Sequence, residues 1–288
     1  MIKIYNKGMN EKINFKELAA LSNVSIGTLS RFFNGGAVSK KNKLIISKNI
    51  EKYNFVKKSA AARVRGKNNQ LIILRTLIKS TTLDNIVSGI IENVSSNVIV
   101  KYSGQNEEQV IKGIEEAISE EPKNLVIFAP INPTEKFEKI LNKASKYSKV
   151  VVYNYENPYA SNVSVSYEAA FKDISKKYNK INFVYDNKED IPSFSRRIEQ
   201  LKKANISLTV SKNIATKNIN FYQSNSLYTR ISHTKKSNSI VISYSQPIEY
   251  TKKTEWVFVD QYYVGLCIAR LCKLENNENI IVKAKYIK

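Results

Sequence analysis

The sequence predicts a small all-α module at the N-terminus followed by a larger α/β domain. Residues 14–53 show three short apolar patterns at helical spacing, each preceded by a residue that can cap a helix. From residue 71 onward, apolar runs typical of buried strands alternate with helical patterns, which indicates a parallel sheet with helices on both faces. The length of 288 residues leaves room for both parts, and 42% hydrophobic residues permit a sizeable core.

The first two predicted helices lie in residues 14–34 and are joined by a short turn. Asn14 can accept a hydrogen bond from the backbone of Glu17 while Glu17 returns to the backbone of Asn14, the reciprocal capping box of a helix start. The Ser-Asn-Val of residues 22–24 interrupts the pattern with a residue that tolerates left-handed backbone and with an apolar plug. Ser25 is a second N-cap, so the second helix is predicted to begin directly after it.

The second predicted helix has an apolar side and a side of small and polar residues. Leu29, Phe32 and Phe33 form the apolar side and are predicted to face the core of the module. A helix that follows a tight turn and presents an open face is the arrangement that enters the DNA major groove. The open face is predicted to comprise Ser25, Ile26, Gly27, Thr28, Ser30 and Arg31.

A third helix is predicted from the Ser39 cap through Tyr53, with Ile46, Ile50 and Tyr53 facing inward. The three helices would then share one small core. An ordinary three-helix packing module, whose serines and arginine are merely solvated, is the alternative interpretation. The lysines of the third helix are predicted to face mostly water: Lys40, Lys41, Lys43, Lys48 and Lys52.

The motif VS-x-x-TLSRFFNG, followed by VS and a helix ending in YNF, resembles the DNA-binding headpiece of the lactose/galactose repressor family of bacterial transcription regulators. The resemblance extends without gaps over about residues 13–67. It implies a sequence-specific repressor that binds a palindromic operator as a homodimer. The DNA contacts that the motif and the resemblance imply in the headpiece are Asn14, Ser25, Ile26, Gly27, Thr28, Ser30, Arg31, Asn34, Ser39 and Lys40.

The positive charge of the chain is concentrated at the N-terminus. The whole chain carries a formal net charge of +21, and residues 1–68 hold 15 basic and 3 acidic side chains, a net of +12. Clustered cations release condensed counterions from the DNA backbone and so favour binding to nucleic acid. The codon bias of an AT-rich genome accounts for much of the positive charge in the rest of the chain. It does not explain why acidic residues are scarce only at the N-terminus.

Residues 57–69 form an Ala-rich segment flanked by cations, too short and too polar to be a stable helix alone. In the family that it resembles, this segment folds on DNA and drives an apolar lever into the minor groove. Val64 stands where the family places leucine, which shortens the wedge, and Lys57 replaces a proline, which removes a rigid entry to the hinge. Both departures disfavour strong kinking of the DNA. A plain flexible linker is the alternative. The DNA contacts implied here are Ser59, Ala60, Arg63 and Val64.

The α/β pattern resembles the two-lobed, periplasmic-binding-protein-like effector domain of the same family, with a second lobe that is shortened. Strands are predicted at residues 71–74, 97–102, 124–130, 149–154, 181–186, 206–210 and 239–244. Helices are predicted near 84–96, 106–120, 134–147, 168–178 and 193–204, with a closing strand and helix over 255–271. The predicted domains are a DNA-binding domain over 1–56, a hinge over 57–69 and an effector-binding and dimerisation domain over 70–288.

The predicted effector site departs from the family pattern. The resemblance places Asn154 where an acid is usual, Ser193 where an arginine clamps the sugar, and Gln246 where one of a pair of acids is usual. Residues 211–238 form a polar tract where a strand and a helix are expected. We therefore expect a phosphorylated sugar or another anion, or no effector at all, rather than a neutral sugar. The candidate effector contacts are Asn154, Arg196 and Gln246.

Other functional classes lack support in the sequence. It contains no phosphate-binding loop, dinucleotide fingerprint or nucleophile elbow, so we expect a protein that is not an enzyme and needs no cofactor or metal. Cys267 and Cys272 have no redox or zinc spacing. No membrane-spanning run or secretory segment is present, which predicts a cytoplasmic protein. The competing class is a cytoplasmic α/β sugar-binding protein or an enzyme whose N-terminal helices do not bind DNA.

Overall fold

The structure is a computed structural model that describes residues 13–58, 69–76, 81–129, 133–185, 191–215, 218–232, 238–243 and 254–287. The headpiece, residues 13–58, contains the three predicted helices: α1 (Phe15–Leu21), α2 (Ile26–Phe33) and α3 (Lys40–Lys52). Leu18, Leu29 and Ile46 are fully buried between them and form the centre of one small apolar core. The helical spacing of these residues is what the sequence predicts.

The rest of the chain folds into two six-stranded sheets flanked by helices. The strands are β1 (Gln70–Thr76), β2 (Asn97–Ser103), β3 (Asn124–Ile127), β4 (Lys149–Tyr153), β5 (Ser161–Ser166), β6 (Lys180–Val184), β7 (Ser207–Ser211), β8 (Ile219–Tyr222), β9 (Ser239–Ser243), β10 (Thr254–Phe258), β11 (Asn279–Lys283) and β12 (Lys285–Ile287). The helices are α4 (Thr81–Ile91), α5 (Glu107–Ser119), α6 (Glu135–Ser145), α7 (Glu168–Ser175), α8 (Ile191–Lys203), α9 (Asn225–Ser232) and α10 (Gln261–Leu271).

The two sheets define two lobes. The first sheet has the order β11-β5-β4-β3-β1-β2 with every pair parallel, and the second has the order β12-β10-β9-β8-β6-β7 with only β10 and β12 antiparallel. The central strands β1, β3 and β9 are buried along their whole length, as expected where helices cover both faces of a parallel sheet. The predicted two-lobed α/β architecture is confirmed.

Five of these elements were not predicted from the sequence: β5, β8, β11, β12 and α9. β5, with the sequence SNVSVS, lacks the apolar run of a buried strand, yet it pairs with β4 and with β11 from the end of the chain. The short strands β11 and β12 were also not predicted. β11 adds to the sheet of the first lobe, and β12 adds to the sheet of the second lobe. The first lobe therefore extends beyond the predicted strand at 149–154. β5, α10 and β11, which follow later in the chain, also belong to it.

The family pattern places a strand and a helix in the polar tract at 211–238, and the structure forms both there although the tract is polar. It contains β8, whose four residues are all buried, and the eight-residue helix α9. Polar side chains in β8 are tolerated because they are paired: Asn220 Oδ1 accepts hydrogen bonds from Asn182 at 2.8 Å and from the backbone of Ala215 at 2.8 Å.

Helices α4 and α10 cross at two glycines. A Cβ atom on Gly89 would lie 2.3 Å from the carbonyl oxygen of Tyr262, and one on Gly265 would lie 2.2 Å from that of Ile86. The absence of side chains at these two positions therefore allows the two helix backbones to touch. No helix in the described ranges is long and apolar enough to cross a membrane.

Candidate nucleic-acid interface

The helix-turn-helix unit of the headpiece is built by local capping hydrogen bonds. The backbone amide of Glu17 donates to Asn14 Oδ1 at 3.0 Å and that of Asn14 donates to Glu17 Oε2 at 2.7 Å, which completes the predicted capping box. In the turn, Asn23 has a φ of 50°, the left-handed conformation that asparagine tolerates. The backbone amide of Thr28 donates to Ser25 Oγ at 3.0 Å and starts α2.

The predicted open face of α2 is accessible. The side chain of Ile26 is 51% exposed, Gly27 and Arg31 are exposed, and Leu29 on the opposite side is fully buried. The Ser25 and Thr28 hydroxyls lie 2.9 Å apart and hydrogen-bond to each other. A Cβ atom on Gly27 would meet only Ser25 Oγ, at 3.8 Å, so this part of the helix could closely approach another molecule.

The C-terminal end of α2 is fixed by glycine and by a lysine from the end of the headpiece. The backbone amide of Gly36 donates to the carbonyl of Arg31 at 2.8 Å, and Gly35, with φ at 73°, takes the left-handed conformation that ends many helices. Lys57 Nζ donates to Asn34 Oδ1 at 2.8 Å and lies over the Phe33 ring. Asn34, a predicted DNA contact, is thus already held in place by Lys57.

An asparagine that the sequence analysis did not identify joins α3 to the end of α1. Asn49 Nδ2 donates to the carbonyl of Leu21 and to the hydroxyl of Ser22, both at 3.1 Å. Ser22 is 1% exposed, so the bond satisfies a buried hydroxyl and a carbonyl at a helix end. Asn49 therefore holds the third helix against the turn that orients α2.

The predicted cations of α3 are exposed, and the helix begins at its predicted cap. Ser39 caps α3 by accepting from the backbone amide of Asn42 at 3.3 Å. The side chains that the structure leaves exposed on this helix include all the predicted ones, Lys40, Lys41, Lys43, Lys48 and Lys52. The remaining DNA contacts expected from the sequence, Ser59, Ala60, Arg63 and Val64, lie outside the described residues.

The headpiece is attached to the first lobe by Tyr147, which follows α6. Its hydroxyl donates to the carbonyl of Asn54 at 2.7 Å and accepts from the backbone amide of Val56 at 3.1 Å. Burial raises the pKa of Tyr147, and the hydrogen bond from Val56 opposes that rise. Beside it, Lys58 Nζ forms an ion pair with Glu121 at 2.8 Å. The helix-turn-helix unit is thus held against the N-terminal ends of β3 and β4.

The predicted effector residues lie at the opposite ends of the strands, where the two lobes meet. Asn154 follows β4 with φ at 58°, and its Oδ1 accepts from the backbone amide of Val165 at 3.0 Å. Arg196 Nη2, from α8 of the second lobe, donates to the carbonyl oxygen of Asn154 at 2.8 Å. The structure therefore brings Asn154 and Arg196 together, while Gln246 lies outside the described residues.

Aromatic rings and a second arginine surround this contact. Arg197 is 8% exposed, donates to the carbonyl of Gln223 at 3.1 Å and lies 5.6 Å from the Tyr167 ring centroid. The Tyr153 ring lies 5.5 Å from that of Phe128, and burial raises the pKa of its hydroxyl. Sequence reasoning missed these neighbours because the predicted strands, 124–130 and 149–154, included both aromatic residues. In the structure Tyr153 ends β4 and Phe128 follows β3, the usual position of ligand contacts in such sheets.

A headpiece with a capped second helix, followed by a two-lobed α/β domain, is the fold of LacI-family transcription regulators. The structure matches the CelR regulator–cellobiose complex with a TM-score of 0.61 and 12% identity, over 96% of this chain and 99% of that one. It matches the lac repressor dimer bound to operator and the anti-inducer ONPF with a TM-score of 0.62 and 13% identity, over 96% and 98% of the two chains.

A third similar structure is a LacI-family regulator from Silicibacter pomeroyi, with a TM-score of 0.61 and 15% identity, over 95% of this chain and 97% of that one. No protein-family model and no curated protein sequence matches the chain. The shared fold supports the resemblance that residues 24–35 carry. At these identities the comparison establishes the fold.

Proposed function

We propose that the chain is a sequence-specific DNA-binding transcription regulator, a repressor that binds a palindromic operator as a homodimer. The observation that carries the proposal is the exposed face of α2, where Ile26, Gly27 and Arg31 project from a helix whose start and end are both capped. The exposed lysines of α3 add positive charge to the same headpiece, and positive charge attracts phosphates irrespective of sequence.

In the proposed division of labour, residues 1–56 recognise DNA, 57–69 form a hinge and 70–288 dimerise and sense an effector. The fold that this chain shares with the lac repressor bound to its operator supports that division. Because one headpiece contacts only a half-site, pairing two copies would raise the affinity for a palindrome.

The proposed dimer surface is formed by α4 and the exposed side of α10. Large apolar side chains there remain accessible although the two helices pack closely: Ile91 is 46% exposed, Tyr262 41%, Tyr263 50% and Leu266 36%. Tyr262 is positioned by a 2.8 Å hydrogen bond from its hydroxyl to Glu92. Such a cluster is more apolar than an ordinary protein surface and favours a protein contact.

The proposed effector site is the junction of Asn154 and Arg196, and its preferred ligand class is an anion. Arg196 donates to a backbone carbonyl there, and Arg197 lies one residue away, so among the described residues the junction offers positive charge and no pair of carboxylates hydrogen-bonded to either arginine. One of the similar structures, the CelR regulator, is a complex with cellobiose, a neutral sugar. We expect a phosphorylated sugar to bind this chain more tightly than its neutral counterpart.

The decisive experiment is selection of DNA fragments from the source genome, followed by mobility-shift titration of the selected fragment. We expect one palindromic sequence to be enriched and bound with an affinity well above that for random DNA at the same salt concentration. Sedimentation of the protein alone and with the fragment tests the dimer. Failure to enrich any sequence would favour the competing class, a sugar-binding protein or an enzyme with a non-DNA-binding helical module.

A further inference from the structure

A cavity of about 680 Å³ lies in the first lobe at the edge where the strands begin. Lys123, Lys149 and Asn277 precede or start β3, β4 and β11, and all of these strands are parallel. The cavity is therefore at the opposite edge of the sheet from the Asn154–Arg196 junction, and it is a separate place in the molecule. Its wall also includes Tyr147, the residue that holds the headpiece.

The wall of the cavity is positively charged. Three lysines, Lys123, Lys146 and Lys149, line it together with a single carboxylate, Glu275. Within the described part of the chain, none of the three ammonium groups forms an ion pair. Among the described residues, three lysines therefore face one lining carboxylate and no ion pair ties any of them up, so the wall carries a surplus of positive charge that is suited to an anion from solution.

Lys149 joins two parts of the cavity wall by hydrogen bonds from its ammonium group. Its ammonium group donates to the carbonyl of Asn276 and, at 3.0 Å, to Asn277 Oδ1, which are both neutral acceptors. These bonds fix the turn after α10 against the start of β4. Partial burial lowers the pKa of Lys149, and the negative charge of Glu278 only partly opposes that shift; a bound anion would oppose it further.

Two aromatic rings complete the wall. Tyr147 and Tyr159 are half-buried there, beside the hydroxyl-bearing residues Ser145 and Ser148. Both serine hydroxyls already donate to backbone carbonyls, at 2.9 Å to Asn142 and 2.7 Å to Pro122, and so are held in place. A volume of this size, with cations and rings, suits a small organic anion rather than a protein segment.

We propose that this cavity binds a phosphate-bearing small molecule, with Lys123, Lys146 and Lys149 providing the charge complementary to the phosphate. A sugar phosphate and a nucleotide share that chemistry. Because the Tyr147 ring lines the cavity while its hydroxyl holds the headpiece backbone, an occupied cavity changes how firmly the headpiece is held. This second step, the effect on DNA affinity, rests on the proposed function; the binding step does not.

The binding step is tested by calorimetric titration of the full-length protein with two matched pairs, glucose 6-phosphate against glucose and AMP against adenosine. We expect at least one phosphorylated member to bind and its neutral partner not to bind. The Lys123→Ala/Lys146→Ala double variant, which spares the Lys149 bonds, is expected to bind about tenfold more weakly. Lys112→Ala removes an exposed lysine of α5 outside the cavity and serves as the matched control.

Several results would overturn the binding step. They are equal binding of the neutral and phosphorylated members, no binding of either phosphate, and unchanged affinity in the double variant. Phosphate binding that is lost in Arg196→Ala but kept in the double variant would assign the ligand to the junction between the lobes instead. A double variant that weakens DNA binding with no phosphate present would show that these lysines contact the DNA backbone, and would also overturn the proposal.

The coupling step is tested by mobility shift on the selected operator with and without the phosphate that binds. We expect the phosphate to change operator affinity by about fivefold or more in the wild type and not in Tyr147→Phe. The same change in both proteins, or none in the wild type, would refute the coupling. If no DNA sequence is bound under any condition, the proposed function fails while the titration result still decides the binding step.

Discussion

The hydroxyl of Tyr147 in the first lobe lies 2.7 Å from the carbonyl oxygen of Asn54 in the headpiece, although 93 positions separate the two residues in the sequence. Asn54 itself has φ at 50° and ends the third helix. The same hydroxyl accepts from the amide of Val56, so one side chain satisfies two backbone groups just before the predicted hinge. The orientation of the headpiece on the lobe depends on this side chain.

Tyr147→Phe is expected to loosen the headpiece without unfolding either part. The ring is kept, while the hydrogen bonds to Asn54 and Val56 are lost, at a cost of about 1 kcal/mol. Hydrogen exchange of the Val56 amide is therefore expected to become about fivefold faster. Tyr159→Phe is the matched control, because Tyr159 lines the same cavity but has no described hydroxyl contact with the headpiece. Unchanged exchange at Val56 would contradict the role given to Tyr147.

Arg31→Ala is expected to weaken binding to the selected operator by about 1–3 kcal/mol if the guanidinium makes a bidentate base contact. Arg31 is exposed on α2, and its Nε makes only a long bond of 3.4 Å to the carbonyl of Gly27. Mobility-shift titration measures the effect. Lys172→Ala, which removes an exposed charge from the second lobe, is expected to leave the affinity unchanged. An equal affinity for Arg31→Ala and wild type would exclude Arg31 from the contact.

Asn49→Ala is expected to destabilise the headpiece by about 1–3 kcal/mol, because the buried Ser22 hydroxyl and the Leu21 carbonyl would lose a donor. Chemical denaturation of the wild type and the variant measures the change. Lys48→Ala on the same helix is the control, since Lys48 is exposed and alanine favours helix. A stability equal to that of the control would show that Asn49 does not hold α3 against the turn.

Replacing two helical glycines, Gly89 and Gly27, with alanine is expected to change the stability of the protein in opposite directions. Gly89→Ala would place a Cβ 2.3 Å from a backbone oxygen of α10, so overpacking is expected to cost about 1–3 kcal/mol. A Cβ on Gly27 would meet only Ser25 Oγ, at an ordinary contact distance of 3.8 Å, so the higher helix propensity of alanine is expected to stabilise the headpiece by up to about 1 kcal/mol. Thermal unfolding measures both. A neutral Gly89→Ala would contradict the close crossing of α4 and α10.

The sequence by itself determined the headpiece and the lobed architecture. The helix caps of the headpiece join residues that are three positions apart, as in Asn14 with Glu17 and Ser25 with Thr28. Residue type and spacing were therefore sufficient to predict these caps. The buried strands β1, β3, β4 and β9 were equally predictable, because helices on both faces of a parallel sheet require apolar runs.

Tertiary structure alone decided the rest. β5 and β8 are strands because neighbouring strands pair with them, despite the polar residues that they contain. Contacts such as Arg196 with Asn154, Asn49 with Ser22 and Tyr147 with Asn54 join residues from 27 to 93 positions apart. The chain pattern cannot reveal them, because such contacts form only when packing of separate elements brings the donor and acceptor together. The cavity beside Tyr147 exists for the same reason.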